Sequence, residues 1–188
     1  MENTKITKKV NILAMIQCAL FVALIAVGAF IRVPLPLVPF TLQILFTNLA
    51  GVLLGKKYGS IAVIAYIFLG LIGLPIFTGG GGIGYVLHPT FGYMIGMVLG
   101  AYAAGYIREK AGNFNYKTTF AAGIVNATII YLIGVPYFIC IMKLYMNSDM
   151  AISAMLMTGF VMTLPGDMIK CIIASLLAKR IGPMIKMN

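Results

Sequence analysis

The chain has 188 residues, of which 61% are hydrophobic and 10% charged, and its formal net charge is +10. An average soluble domain has about 45–50% apolar and about 25% charged residues, so most of this chain's surface must meet lipid. The length fits one membrane domain over residues 1–188, and the lysines fall in small groups between apolar runs rather than in a basic stripe, which argues against nucleic acid.

The polar, basic start "MENTKITKK" leads into an apolar run ending near Ile31. That run exceeds a signal-peptide core of about 7–15 residues and reads as a retained first transmembrane helix. A span needs about 20 mainly apolar residues. Six segments qualify, at 11–31, 40–55, 58–74, 91–108, 118–134 and 151–178. The expected fold is therefore an all-α integral membrane protein with six transmembrane helices.

In the first span, Ala19 and Ala23 have the small-xxx-small spacing that lets helices approach closely. Internal packing is the expected use, and a partner helix is the alternative. The loop at 32–39, "RVPLPLVP", is apolar. Gln43 starts the second span and Asn48 lies further in, before "GKKYG" separates spans two and three.

The stretch 75–90, "PIFTGGGGIGYVLHPT", reads as non-helical throughout, because four consecutive glycines and two prolines oppose a helix. Gly82 belongs to this run, with Tyr85 and Tyr93 on its flank. The run is not a phosphate loop, since GxxxxGK[ST] is absent. In the fourth span Gly92, Gly96, Gly100 and Ala104 repeat every four residues, a second packing stripe. Asn126 is inside the fifth span, and 135–150 reads as a third loop on the side of the glycine run.

The last span contains "PGDMIK". Pro165 can open a helix. Asp167 then falls in its first turn, where the helix dipole favours a negative charge. Lys170, at i+3, shares its face. Ionisable groups inside a span face a cavity and by default suggest function. An internal ion pair is the competing explanation, though such pairs add little net stability.

Eleven of the fourteen basic residues flank the first, second, fourth and sixth spans on one side. Arg32 and Lys143 lie on the other, and Lys170 lies within a span. The positive-inside rule then places both termini in the cytoplasm and the glycine-rich loop outside. The three cysteines lack metal or redox spacing and read as apolar fillers. One histidine, His88, and four acids assemble no catalytic set and no metal site.

The polar residues in the spans offer one carboxylate, one ammonium and several amides among aromatic walls. That set fits a small organic ligand better than an ion, which would need several carboxylates or carbonyl rings.

Three blocks carry a family resemblance across essentially the whole chain: "PLPLVPFTLQILFTNLAGVLLG" (34–55), "YIFLGLIGLPIFTGGGGIGYVLHPTFGYMIG" (66–96) and "PGDMIK" (165–170). The chain resembles the BioY family, the biotin-specific substrate-binding subunits (S components) of energy-coupling-factor vitamin transporters. Where that family usually has Pro-Thr-Gly-Gly-Tyr, this chain has Phe91 in place of the first glycine. The resemblance implies a six-helix, multi-pass cell-membrane subunit, bacterial and non-enzymatic, that captures biotin from outside. It implies no cofactor on this chain, a membrane coupling subunit, and ATPase subunits that use the ATP. It also implies that Ala19 and Ala23 contact the coupling subunit.

On this reading Asp167 accepts a ureido N–H, while Lys170 donates to the ureido oxygen or neutralises the tail. Gln43 and Asn126 add polar contacts. Tyr85, Phe91 and Tyr93 wall the sulfur ring, and Gly82 allows close backbone approach. The alternatives are a similar subunit for another vitamin, a membrane scaffold with a structural Asp167–Lys170 pair, and an intramembrane enzyme.

Overall fold

The computed structural model describes residues 12–33 and 37–185. Lys5, Lys8, Lys9 and Lys186, part of the charge asymmetry, lie outside the described residues, as does 34–36 of the first loop.

The described residues are mainly helical, with one short two-stranded hairpin. Helix α1 spans Ile12–Phe30, α2 Gln43–Leu71, α3 Phe91–Ala111, α4 Tyr116–Cys140, α5 Ile152–Leu156 and α6 Leu164–Ile181. Among the described residues, four stretches are long and apolar enough to cross a membrane: Ile12–Phe30, Gln43–Leu71, Tyr116–Tyr145 and Ile152–Met184. Between α1 and α2, strands β1 (Arg32–Val33) and β2 (Phe40–Thr41) pair antiparallel, Arg32 opposite Thr41.

Helix α2 contains both the second and third expected spans. Gly55, with φ 80° and ψ 173°, breaks it into 43–54 and 56–71, a conformation essentially restricted to glycine. The halves fold back on each other so closely that a side chain at Gly59 would meet the backbone of Ala50 and Gly51. Helix α3 secures both broken ends. Arg108 Nε donates to the Val52 carbonyl at 2.7 Å, and Glu109 Oε1 accepts the Lys56 N–H at 2.9 Å. A cation thus meets one helix's C-terminal end and an anion the next one's N-terminal end, as the dipoles favour.

The glycine stripe of α3 faces α4. Side chains at Gly92, Gly96 and Gly100 would collide with Tyr137, Ile130 and Asn126 respectively. The α1 stripe differs from the internal-packing expectation. Ala19 and Ala23 are exposed, while Ala14, Cys18, Phe21 and Ile25 face the protein. Cys171 is buried like Cys18, but Cys140 is exposed.

Three boundaries differ from the sequence expectation. The stretch 135–150 is not all loop: α4 continues through Pro136 to Cys140, followed by a π-helical turn at Ile141–Tyr145. Proline removes one backbone donor, and membrane helices tolerate this where local π adjustment re-satisfies the freed groups. The stretch 75–90 is not wholly non-helical, because Ile83–Leu87 forms a 3₁₀ turn just after the last of the consecutive glycines. The segment 151–178 is not one straight helix. It comprises α5, a π-helical turn at Met157–Val161, and α6, which restarts at Leu164 with Pro165 in its first two positions.

Candidate functional site

The restart at Leu164 places Asp167 in the first turn of α6 and aims it inward with Lys170. Both are buried, at 1% and 3% exposure. Lys170 Nζ pairs with Asp167 Oδ1. It also donates to the Thr41 carbonyl at 2.7 Å and lies 3.9 Å from the centre of the Phe40 ring. Lysine thereby fastens the β1–β2 hairpin to α6. A side chain at Gly166 would strike the Phe40 ring, so glycine is needed for this approach.

The two oxygens of Asp167 differ. Oδ2 accepts the Tyr131 hydroxyl of α4. Tyr131 Oη also lies 2.8 Å from Thr163 Oγ1, which itself lies 3.0 Å from the Phe160 carbonyl. Oδ1 is held by the Lys170 ammonium. The pair neutralises the charge, and both of its residues line a cavity.

That cavity lies among the hairpin, α2, α3, α4 and α6. Gln43, Tyr93, Met94, Met97, Tyr131 and the Asp167–Lys170 pair line it. Gln43 is held in one orientation: its Oε1 accepts from Thr41 Oγ1 at 3.1 Å, and its Nε2 donates to the Tyr66 hydroxyl at 2.9 Å. Tyr66 in turn donates to the Ile76 carbonyl, also at 2.9 Å, tying the site to the start of the glycine-rich loop. Tyr93 donates to the Gly159 carbonyl at 2.8 Å and meets Tyr131 edge-on.

The structure therefore brings Asp167, Lys170, Gln43 and Tyr93 together. Tyr85 lies in an adjoining mouth with Arg32, Thr78, His88 and Thr90, and Thr78 and Thr90 line both spaces. Tyr85 stacks on His88 at 4.6 Å, and burial holds the histidine's pKa below its usual value. Phe91 is buried against Tyr137 and does not line the cavity. Gly82 does not line it either; with φ 101° it turns the loop and donates its N–H to the Gly70 carbonyl at 2.7 Å. Asn126 lies five residues from Tyr131 along α4, about 7.5 Å of rise. It is fully buried beside Gly100, outside the cavity lining.

Sequence reasoning passed over Tyr66, Tyr131 and Thr163. The available signal was a hydroxyl in an apolar span: a buried tyrosine O–H usually finds a partner. Tyr131 also borders a separate, mainly apolar crevice walled by Leu132, Val135, Phe160, Leu164 and Met168, in which Thr128 is the other hydroxyl.

A model described as the BioY family matches residues 2–187. A probable biotin transporter BioY of Lysinibacillus sphaericus is 45% identical over 174 residues, 93% of this chain and 89% of that protein. The biotin transporter BioY of Thermotoga maritima is 40% identical over 168 residues, 89% of this chain and 94% of that protein. Among solved structures, the crystal structure of the S-component for biotin from an ECF-type ABC transporter matches with a TM-score of 0.79 and 26% identity. The match covers 96% of this chain and 94% of that one.

Proposed function

The chain belongs to the BioY family, and from that premise we propose that it is the biotin-binding membrane subunit of an ECF-type ABC transporter. The observation that carries this is the buried Asp167 carboxylate. It is neutralised by Lys170 on one oxygen, braced by Tyr131 on the other, and lines the cavity together with the lysine. Biotin's ureido ring has two N–H donors and one carbonyl. One N–H bonds Asp167, and the Gln43 amide, which lines the same cavity, serves the ring's other polar atoms. Lys170 can turn one of its three donors to the ureido oxygen. Met94, Met97 and Tyr93 supply apolar walls for the sulfur ring. Of the residues proposed from sequence, Asp167, Lys170, Gln43 and Tyr93 are the direct contacts. Tyr85 belongs to the entrance. Phe91, Gly82 and Asn126 act through shape and packing.

Six segments cross the bilayer in this proposal, α2 supplying two of them, with both termini cytoplasmic. Exposure of Ala19 and Ala23 on α1 supports that face as the contact for a membrane coupling subunit. Energy comes from ATPase subunits, in keeping with a sequence that lacks a phosphate-loop motif.

Ligand-dependent melting tests the reading. A ligand that binds only the folded state stabilises it by RT ln(1 + [L]/Kd), about 2.7 kcal/mol at a hundredfold excess over Kd. Biotin should raise the melting temperature of the detergent-purified chain, and thiamine or riboflavin should not. A folded protein indifferent to biotin contradicts the proposal.

A further inference from the structure

The charges around the cavity are unevenly paired. At its inner end Asp167 and Lys170 neutralise each other. At its mouth Arg32 is exposed and forms no ion pair with a described residue. Its Nη1 donates to the Thr78 carbonyl, and Thr78 lines both the cavity and the mouth. Arg32 also stands opposite Thr41 in the hairpin, and the Thr41 carbonyl accepts from Lys170. Two cations therefore bracket one cavity, the inner one already paired with a carboxylate and the outer one not.

A cargo with a polar ring at one end and a carboxylate at the other has two orientations here. With the carboxylate inward, two carboxylates would share one ammonium in a buried site, and like charges at such range strongly disfavour joint ionisation. With the carboxylate outward, it meets a guanidinium whose planar fork of donors suits a carboxylate. Arg32 is the one formally charged side chain of the described mouth, since burial keeps His88 toward its neutral form.

We propose that Arg32 is the carboxylate anchor of this site. It orients the cargo tail-outward and makes the chain selective for a free carboxylate over the corresponding amide. This rests on the biotin reading and adds to it a direction of binding and a specificity residue.

The test is equilibrium binding of biotin and of its primary amide, biotinamide, to the purified full chain, its Arg32→Gln variant and its Arg32→Lys variant. Wild type should prefer biotin about tenfold, the scale of a charge-assisted hydrogen bond. Arg32→Gln should lose that preference while binding biotinamide as wild type does, and Arg32→Lys should keep part of it. The wild-type preference should shrink as salt rises from about 0.05 to about 0.5 M, because an exposed pair is screened. Equal binding of acid and amide by wild type would overturn the proposal. So would an undiminished preference in Arg32→Gln, or an equal loss for both ligands, which would make Arg32 merely a brace between the hairpin and Thr78. If folded wild type binds neither ligand, the biotin reading falls and the anchor with it.

Discussion

At the scale of single residues, Asp167 holds the site's chemistry because three groups define its state: Lys170, Tyr131 and, through the tyrosine, Thr163. Asp167→Asn should weaken biotin binding by at least about 2 kcal/mol, since a hydrogen bond to a charged group contributes roughly 1.5–3 kcal/mol. An amide can also turn its NH₂ toward the ureido N–H, donor against donor. The fold should tolerate the change, because Lys170 retains the Thr41 carbonyl and the Phe40 ring. A purely structural pair forecasts the reverse: unchanged affinity, a lower melting temperature, and recovery in the Asp167→Asn, Lys170→Met double variant. Tyr131→Phe keeps the wall and removes the donor to Oδ2, so it should cost about 1–2 kcal/mol of biotin affinity, read by equilibrium dialysis. Unchanged affinity would show that Tyr131 serves the wall alone. Asp167, Lys170 and Gln43 were legible in the sequence because charge and amide groups stand out in apolar spans. Tyr131 and Tyr66 were not, because their rings blend with the core and only their hydroxyls act. Asn126 stood out equally well but lies about one and a half turns from Tyr131 along α4, and depth within a span depends on helix registers that sequence spacing does not supply.

At the scale of elements, the break at Gly55 converts one long apolar stretch into a helical hairpin. "GKKYG" announced that break, but its two braces, Arg108 and Glu109, lie more than fifty residues away and come into range only through packing. Gly55→Ala should destabilise the protein by about 1–3 kcal/mol from backbone conformation alone, with an added collision against Glu109. Thermal unfolding in detergent measures this, and a melting temperature equal to wild type would contradict it. The faces of α1 separate the two uses proposed for small residues. Ala19→Leu and Ala23→Leu should leave biotin binding unchanged and weaken pull-down of the coupling subunit, because a bulky side chain prevents close helix contact. Normal assembly by both variants would remove α1's outer face from the interface. The ends of α4 and α5–α6 were misplaced from sequence because prolines and glycines usually stop helices in water. In these segments π-helical turns absorb the irregularity at Ile141–Tyr145 and Met157–Val161.

At the scale of the whole molecule, the charge asymmetry and the site agree on direction. The cavity adjoins Arg32 and the glycine-rich loop, at the other end of the helices from Lys56, Lys57, Arg108, Lys110, Lys179 and Arg180. A thiol probe that does not cross membranes should label Gly84→Cys from outside and Lys117→Cys only after permeabilisation, each in a Cys140→Ala background. Gly84 is exposed with open space around its Cα, so the substitution is tolerated; the reverse labelling pattern would invert the topology. Hydropathy made the helical, membrane-spanning character readable, since it is linear in the chain. The cavity was not, because five separate elements converge on it. The most direct measurement of the central claim is radiolabelled biotin binding to the purified chain alone, wild type against Asp167→Asn, with folding verified for both. The account predicts saturable binding by wild type without ATP or partner subunits, and a loss of at least about thirtyfold in Asp167→Asn, the equivalent of about 2 kcal/mol. Absence of saturable binding by folded wild type, or equal affinity in the two proteins, would contradict it.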